Sequence, residues 1–368
     1  MRIIIISQML TEGGAERVAS MWIKGFVQRG HEVFVVMNTN HPHPITYEIP
    51  PNVRIYNLRC RYIPFLFHKI LGRFITYQPL RLRRIIKDIR PDLIIGLLHP
   101  YATWAYKASK GMNVKIINTE HNSFERPESV PFTKDDIINK FERNKYFSHV
   151  TVLTQADKDI IGDKLKNVSV LPNPLCLQPV EKIPPKENII LASGRLYAWH
   201  VKGLDLLIKA WAKIAKKYPD WKLEIAGNDR KNNKSFLEAL ATKEKLQSNQ
   251  LEFLGFCEDV ESLYRRSSIF VMSSRYEGLG MVLIEAMSQG CACIACDYKG
   301  RQSEIIQNDS QGIICPVEDV DSLASAIERM ILDKSYREKC QYNAIERSKF
   351  YSLDNTMDRW EKIIDNLG

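Results

Sequence analysis

The sequence predicts an α/β protein with two domains, each built on a parallel sheet that helices cover on both faces. Short apolar runs typical of buried strands alternate with segments of helical periodicity along almost the whole chain. One proline-rich stretch, VSVLPNPLCLQPVEKIPPKE, interrupts this alternation, and the same pattern then begins again. At 368 residues the chain is also longer than a single hydrophobic core usually serves, so two domains are expected.

The N-terminal half supplies the first sheet. Strands are predicted at 3–7, at 53–58 and in HEVFVVM, DLIIGLL, VKIINTE and HVTVLT, and helices at 14–29, 62–89, 101–110 and 134–146. We therefore assign residues 1–175 to an N-terminal Rossmann-like domain and residues 176–187 to a linker.

The C-terminal half repeats the architecture. Strands are predicted in NIILASG, KLEIAG, LEFLGF, IFVMSS, ACIAC and GIIC, and helices at 203–217, 234–246, 258–266, 281–289 and 321–332. Residues 188–345 form the second Rossmann-like domain in this assignment. Residues 346–368 are expected to form a C-terminal helix that packs back on the first domain, with Trp360 among charged residues.

The composition narrows the class of protein. No apolar run approaches the roughly 18–20 residues that span a bilayer, and the apolar stretch of MRIIIISQM is too short for a signal peptide. Eight cysteines without a regular framework indicate a reducing compartment. CACIACD is not expected to bind metal, because strand alternation turns Cys296 away from Cys291 and Cys293. We expect a cytoplasmic protein.

The positive charge is concentrated in one region. The chain carries a net charge of +9, and residues 61–90 contain eight Lys and Arg against the single acid Asp88. Such a patch suggests anionic lipid, phosphate or nucleic acid as a partner. Within it, residues 81–90 have the periodicity of an ordinary amphipathic core helix with solvated arginines, whereas YIPFLFHKILGRFITYQ mixes aromatic and cationic residues as interfacial helices do.

Each half opens with a strand, a glycine turn and a helix, an arrangement suited to phosphate. In the first half the turn is LTEGGAER with Gly13 and Gly14, and a tight packing turn would explain it equally well. In the second half the turn is SGRLYAWHVKG, whose Arg195 and Lys202 suit a diphosphate, although a solvated basic loop remains an alternative.

A more specific pattern is SSRYEGLGMVLIEAMSQG. It places Glu277 in a loop beyond a strand end, where open α/β sheets bind ligands, and Glu285 about one turn into the following helix. Carboxylates accept hydrogen bonds from sugar and ribose hydroxyls. In isolation, Glu277 would be interpreted as a loop acid and Glu285 as an acid on a helix surface.

Taken together, these segments resemble a known family. Strand, EGLGMVLIEAMSQG and strand strongly resemble the paired-glutamate region of retaining family 4 glycosyltransferases of the GT-B fold, and GGAERV, LPNP, GRL…KG, EIAG and FLGF follow in the family's order. The resemblance implies two Rossmann-like domains whose parallel sheets face each other across a cleft. It also implies an N-terminal acceptor domain, a C-terminal donor domain and transfer from a nucleotide sugar, most simply a UDP sugar.

The resemblance implies roles for individual residues. Arg195 and Lys202 would hold the donor diphosphate and stabilise charge on the leaving nucleotide. Glu285 would accept from the ribose, and Glu277 would hold the donor sugar near its anomeric carbon. His121 matches the family histidine near that sugar, so His121 and Glu277 are the expected catalytic residues. Further donor contacts are expected from Gly13, Gly14, Phe256, Gly280, Met281 and Val282.

A local similarity concerns the acceptor. FHKI..RF resembles the basic helix of bacterial N-acetylgalactosaminyltransferases that extend lipid-linked glycans, so Lys69, Arg73 and Arg81 are expected to contact a lipid diphosphate or an anionic leaflet. The expected partners are a nucleotide-sugar donor, a lipid-linked glycan acceptor and the inner face of the cell membrane. No nucleic-acid motif accompanies the basic segment.

Such enzymes generally need no metal, so no cofactor is expected. The aspartate strings at 135–136, 157–159 and 319–321 all lie near predicted helix starts and are interpreted as caps or first-turn residues. Two alternatives remain open: a nucleotide-sugar 2-epimerase of related fold, and a non-catalytic protein that binds an anionic surface.

Overall fold

The computed structural model describes residues 1–11, 14–39, 41, 43–58, 77–128, 131–230 and 232–367. The chain divides into two compact units, Met1–Cys176 with Leu353–Gly368, and Leu177–Ser352. None of the described helices is both long and apolar enough to cross a membrane.

The first unit contains a seven-stranded parallel sheet in the part of the chain that is described. Its strands are β1 (Arg2–Ser7), β2 (Glu32–Met37), β3 (Arg54–Asn57), β4 (Leu93–Leu97), β5 (Lys115–Thr119), β6 (His149–Val152) and β7 (Val168–Val170). Their order is β3-β2-β1-β4-β5-β6-β7. The described helices between them are α1 (Gly14–Gln28), α2 (Tyr77–Ile89), α3 (His99–Ala108), α4 (Lys134–Ile137) and α5 (Gln155–Ile161).

Apolar residues fill both faces of this sheet. In β1, Ile3 and Ile5 belong to a core with α1, whereas Ile4 and Ile6 belong to another with α2 and α3. Successive strand residues point to opposite faces, so a strand covered on both sides must be apolar throughout. This explains the uninterrupted isoleucine run and confirms the predicted class.

The second unit repeats the plan with six described parallel strands. They are β8 (Glu187–Ser193), β9 (Lys222–Ala226), β10 (Leu251–Gly255), β11 (Ser267–Met272), β12 (Ala292–Asp297) and β13 (Ile313–Pro316), in the order β10-β9-β8-β11-β12-β13. The helices are α6 (Trp199–Lys202), α7 (Leu204–Ile214), α8 (Asn233–Lys243), α9 (Val260–Arg266), α10 (Met281–Ser288), α11 (Val320–Leu332) and α12 (Lys334–Ser348). Both sheets therefore have a doubly wound order, with the reversal between the first and fourth strands.

One predicted helix has a different form. The segment predicted as a continuous helix at 134–146 begins as α4, continues as a π-helical turn over Ile138–Glu142 and ends as a 3-10 turn over Arg143–Tyr146. The wider turn brings the Lys140 side chain into the protein interior. π-helical turns occur often near functional sites.

The C-terminal region also departs from the predicted boundary of 346. Helix α12 continues to Ser348 within the second unit, where Arg347 Nη2 donates to the Glu304 carbonyl oxygen at 2.7 Å. The chain enters the first unit at α13 (Leu353–Asp365). Arg347 thus fixes the end of α12 to the second unit.

Helix α13 packs on α1. The Trp360 ring lies edge-on to Trp22 with centroids 5.2 Å apart, and it is completely buried. Gly25 permits this close packing, because a Cβ there would lie 2.5 Å from Met357 Sδ. Arg29 Nη2 meets Asp358 Oδ1 at 2.6 Å on the outer edge of the contact. The predicted return of the C-terminus to the first domain is therefore built on aromatic packing.

We expect Trp360→Ala to lower the free energy of unfolding by about 3–5 kcal/mol, because it leaves a cavity between α13 and α1. Urea titration followed by circular dichroism measures this loss. Lys362→Ala, an exposed position of the same helix, is the control and should change little. Equal stability of the two variants would mean that α13 does not depend on this packing.

Candidate active site

The carboxyl ends of β8 and β11 mark the reversal point of the second sheet. Doubly wound sheets bind ligands in the crevice outside such a point, because the helices after the two central strands lie on opposite faces. Two loops begin there, 194–203, which includes the single turn of α6, and 273–280. They contain Arg195, Lys202 and Glu277.

Glycines allow the backbone segments at this edge to approach each other closely. Gly203 has φ +62°, and a Cβ there would lie 1.9 Å from the carbonyl oxygen of Ser273. A Cβ on Gly227 would lie 1.7 Å from the carbonyl oxygen of Gly194. A side chain at either position would push the two contacting backbone segments apart, so glycine is required at both.

Lys202 and Glu277 form the polar centre of the two loops. Lys202 Nζ lies 2.6 Å from Glu277 Oε1, and the Ser274 hydroxyl donates to the same oxygen at 2.8 Å. The Ser273 hydroxyl donates to the Lys202 carbonyl oxygen at 3.0 Å. Both charged side chains keep partial solvent access, 24% for Lys202 and 15% for Glu277, so a ligand can reach them. The structure thus brings these two predicted residues together.

Arg275 holds the loop that carries Lys202. Its guanidinium donates twice to Asp205, at 2.6 and 2.8 Å, and once to the His200 carbonyl oxygen at 2.7 Å. It also pairs with Glu318. The hydrogen bonds to Asp205 raise the pKa of Arg275 further above its usual range. Arg275 was not predicted from the sequence, because its partners lie far along the chain.

Glu285 lies in the second turn of α10 and is buried. The Tyr264 hydroxyl donates to Glu285 Oε2 at 3.4 Å and lies 3.1 Å from Ser193 Oγ at the end of β8. Burial and the nearby Glu285 carboxylate raise the pKa of Tyr264 well above its usual value. Tyr264 therefore remains a neutral hydroxyl that connects Glu285 to the same strand end.

The start of α10 directs backbone N–H groups to this edge. Gly280 is the N-cap with φ +92°, and Met281 and Val282 follow as the first helical residues. The first N–H groups of a helix lack intrahelical acceptors and attract anions. These three predicted donor residues therefore share the loop with Glu277.

Two other predicted donor residues lie at the surface of the second unit. Arg195 is exposed directly after β8, and its guanidinium carbon lies 5.9 Å from the Tyr197 ring centroid. Phe256 follows β10, the edge strand, and is 71% exposed. The contacts of Arg195 and Phe256 with the donor stay predictions.

His121 lies just past the end of β5 in the first unit. Its Nε2 is 3.1 Å from the Thr119 hydroxyl, and its ring centroid is 5.6 Å from that of Trp22. Burial lowers the pKa of His121 to about 4, although Glu120 and Asn173 both act to raise it. The imidazole is therefore neutral near pH 7. Gly14 is the first residue of α1, and Gly13 lies outside the described residues.

A buried charge pair lies beside His121 and was not predicted. Lys140 Nζ lies 3.3 Å from Glu120 Oε2, and both side chains are only 6% exposed. Asn118 and Asn144 donate to Glu120 Oε1 at 2.9 and 3.2 Å. Burial alone would raise the pKa of Glu120, but the Lys140 cation and these hydrogen bonds outweigh burial and lower it.

Lys140 also restrains the residues that follow His121. Its ammonium donates to the Asn122 carbonyl oxygen at 3.2 Å and lies 4.0 Å from the Phe124 ring centroid. An acid directly before the predicted histidine, in INTEHNSF, was the available sequence signal. Its partner could not be found without the π-helical turn.

Of the three basic residues expected to contact the acceptor or the membrane, one lies among the described residues. Arg81 donates to the Leu58 carbonyl oxygen, whereas Lys69 and Arg73 lie outside the described residues.

Each of the three acidic strings has an aspartate at a helix start. Asp136 belongs to the capping box of α4 and Asp319 is the N-cap of α11. Asp157 lies in the first turn of α5, where it accepts from Phe124 N at 2.8 Å. Among the described residues no three His, Cys, Asp or Glu form a metal-binding group.

The chain matches two families over most of its length. Residues 12–178 match the family described as Glycosyltransferase Family 4, and residues 177–347 match Glycosyl transferases group 1. The chain belongs to the family 4 glycosyltransferases.

Three relatives extend over almost all of the chain. An uncharacterized glycosyltransferase of Haemophilus influenzae is 26% identical, with 96% of each chain covered. The GalNAc-α-(1→4)-GalNAc-α-(1→3)-diNAcBac-PP-undecaprenol α-1,4-N-acetyl-D-galactosaminyltransferase of Campylobacter jejuni is 27% identical, covering 99% of this chain and 98% of the relative. The amylovoran biosynthesis glycosyltransferase AmsD of Erwinia amylovora is 27% identical, with 99% of each chain covered.

Solved structures agree with this assignment at the level of the fold. Sucrose-phosphate synthase from Thermosynechococcus elongatus has a TM-score of 0.82 and 20% identity, covering 100% of this chain and 98% of that chain. Anabaena HepE in complex with UDP has a TM-score of 0.80 and 17% identity, with 100% of each chain covered. The fold is GT-B, as the sequence predicted.

We expect Lys140→Met to lower the free energy of unfolding by about 3–5 kcal/mol, because it leaves the Glu120 carboxylate buried without a counter-charge. Adding Glu120→Gln should recover much of the loss. Urea titration measures both variants. The control is Lys145→Met, which removes an exposed pair with Glu142 and should cost no more than about 1 kcal/mol. A loss at Lys140 as small as the control would contradict the role of the buried pair.

Proposed function

We propose that the protein transfers a hexose or N-acetylhexosamine from a UDP sugar to a glycan on a polyprenyl diphosphate, with retention of the anomeric configuration. The observation that carries this proposal is the Lys202–Glu277 pair at the reversal point of the second sheet, beside the start of α10. The Campylobacter relative is named for an undecaprenol-linked acceptor, which supports the lipid-linked substrate. The UDP complex of Anabaena HepE supports the nucleotide.

The loops can assist the bond exchange electrostatically. The bond between the sugar's anomeric carbon and the diphosphate oxygen breaks, the acceptor hydroxyl oxygen forms a bond to that carbon, and the hydroxyl proton passes to the departing diphosphate. Lys202, Arg195 and the N–H groups of Gly280, Met281 and Val282 stabilise the negative charge on the departing diphosphate. Glu277 accepts hydrogen bonds from the donor sugar and Glu285 from the ribose.

Incubation with a panel of nucleotide sugars and polyprenyl-diphosphate glycans tests the reaction class. We expect transfer with UDP-N-acetylhexosamine or UDP-hexose, and an α-linked product from an α-linked donor by NMR. Inverted configuration would contradict the retaining assignment. A change in the donor sugar without transfer would instead support a 2-epimerase.

Glu277→Ala and Lys202→Ala should each lower kcat by roughly 10²–10³-fold while changing stability little. The reason is that both side chains are partly solvent-exposed and lie in loops, so they contribute to the transition state more than to folding. Initial rates at saturating donor and thermal unfolding measure the two effects.

The matched controls are Lys334→Ala and Glu338→Ala, which break an ion pair of the same residue types on the exposed face of α12. Their turnover should equal that of the wild type. Near-wild-type turnover of the Glu277 or Lys202 variant would remove these loops from the proposed reaction.

Transfer should survive EDTA, because we propose that Arg195, Lys202 and the start of α10 balance the diphosphate charge without a metal ion. The assay compares rates with EDTA, after dialysis and with added Mn²⁺. Complete loss with EDTA and recovery with Mn²⁺ would contradict a metal-independent reaction.

The protein is further proposed to work at the inner face of the cell membrane, through the basic segment at 62–78. Lys69→Glu with Arg73→Glu should release the protein from anionic vesicles, since each cation contributes about 1 kcal/mol near such a surface. Co-sedimentation at low and high salt measures binding, and salt should weaken it.

The charge-matched control is Lys243→Glu with Lys334→Glu, on exposed positions of the second unit, and it should still bind anionic vesicles. Equal binding of the wild type to neutral and anionic vesicles, or none to either, would indicate that the cations at 69 and 73 are only solvated.

A further inference from the structure

We propose that Tyr264 and Ser193 are positioning residues for nucleotide recognition, because they hold the Glu285 carboxylate in the orientation that accepts a hydrogen bond from the ribose. Through this carboxylate the two hydroxyls determine the preference for a ribonucleotide over a nucleotide that lacks the ribose hydroxyls. The inference rests on the proposed function, which assigns the ribose to Glu285. All three residues belong to the second unit.

The hydrogen bonds between these residues run in one direction. Tyr264 has a single hydroxyl hydrogen and donates it to Glu285 Oε2 at 3.4 Å. The phenol oxygen lies 3.1 Å from Ser193 Oγ. Because the Tyr264 hydrogen is already used, Ser193 is the donor in this second contact. The chain of hydrogen bonds therefore runs from Ser193 through Tyr264 to one oxygen of Glu285.

Tyr264 keeps its hydrogen at neutral pH. Burial and the nearby Glu285 carboxylate raise the pKa of Tyr264 well above its usual value, whereas Ser193 acts to lower it. A donor to the phenol oxygen favours the charged form of a tyrosine, and an acceptor of its hydrogen favours the neutral form. The neutral hydroxyl is thus present to orient the carboxylate throughout the physiological pH range.

Lys186 joins the two helices that carry Tyr264 and Glu285. Its ammonium donates to the Tyr264 carbonyl oxygen in α9 at 3.0 Å and to the Gln289 carbonyl oxygen just after α10 at 2.9 Å. The Tyr264 ring lies edge-on to Phe270 of β11, with centroids 5.6 Å apart. Both the backbone and the ring of Tyr264 are therefore fixed, so its hydroxyl meets Glu285 at a set position.

A fixed hydroxyl matters because glutamate is a flexible side chain. A glutamate loses much rotamer freedom when it is held in one orientation. Tyr264 holds one carboxylate oxygen before the ligand arrives, so this loss occurs on folding and not on binding. Sites that pair a substrate hydroxyl with a fixed partner reject analogues that lack the hydroxyl. Removal of the Tyr264 hydroxyl should therefore weaken binding of the ribose and leave binding of the base and diphosphate unchanged.

The first test compares UDP with 2′,3′-dideoxy-UDP, which lacks both ribose hydroxyls, by isothermal titration calorimetry. The wild type should prefer UDP. Tyr264→Phe should lower the affinity for UDP roughly five- to tenfold and leave the affinity for the dideoxy ligand unchanged. Ser193→Ala should show a smaller selective loss, and Ser193→Thr, which keeps the hydroxyl, should resemble the wild type. Equal loss of both ligands in Tyr264→Phe would overturn the inference.

The matched control is Tyr218→Phe. It also removes a hydrogen bond from a phenol to a carboxylate, since the Tyr218 hydroxyl donates to Glu328 Oε1 at 2.9 Å, but it does so near the amino end of β9. Its affinity for both ligands should equal that of the wild type. If thermal unfolding shows that Tyr264→Phe does not fold, Ser193→Ala decides the question, because Ser193 is only half-buried. Absence of a selective loss of UDP in that variant would overturn the inference.

The second test is a double-mutant cycle with Glu285→Ala. Because Tyr264 acts through Glu285, Tyr264→Phe should cause no further loss of UDP affinity in the Glu285→Ala background. Additive losses would contradict this dependence. In the transfer assay Tyr264→Phe should raise KM for the donor and retain kcat, since the ribose is bound equally in the ground and transition states. A lower kcat with unchanged KM would also count against a positioning role.

The outcomes separate this inference from the proposed function. Equal affinity of the wild type for UDP and the dideoxy ligand would refute the ribose role of Glu285 in the proposed function, and this inference with it. A wild-type preference for UDP that survives both Tyr264→Phe and Ser193→Ala would overturn this inference alone.

Discussion

The strand order is the constraint on which the rest of the structure depends. In each sheet the first and fourth strands lie side by side, and the chain leaves them toward opposite faces. No helix can cover the gap between their carboxyl ends, so loops there remain accessible while their bases stay anchored in a rigid sheet. Lys202 and Glu277 follow one such strand pair. In the sheet of the first unit, His121 follows β5, the strand next to the corresponding pair of β1 and β4.

The loops at this edge lie so close together that glycine is needed at the contact, and ion pairs rather than large side chains hold the loops in place. Gly203 lets the backbone of one loop touch the end of β11, and Arg275 then ties the same loop to Asp205 and Glu318. Lys202 is consequently presented from a turn fixed on two sides. A long cation held this way loses less conformational freedom on meeting an anion than a free surface lysine does.

Much of the fold could be predicted because the spacing of apolar residues and the positions of glycine and proline are local features of the sequence. The isoleucine runs and the start of α10 at Met281 follow directly from residues within a few positions of one another. The links that complete the site are not local: Arg275 is 70 residues from Asp205, and Lys140 reaches Glu120 only through a π-helical turn. Patterns of neighbouring residues do not reveal such pairings.

The charged cluster beside His121 shows how the fold supports a residue that follows a strand end. Around Glu120 every described partner is internal: two amides and one ammonium meet its two oxygens. The Lys140 ammonium also donates to the Asn122 carbonyl oxygen, so the cluster restrains the backbone on both sides of His121. Burial lowers the pKa of His121 to about 4, although Glu120 and a hydrogen bond with Asn173 act to raise it. The neutral imidazole is therefore positioned by the satisfied cluster beside it.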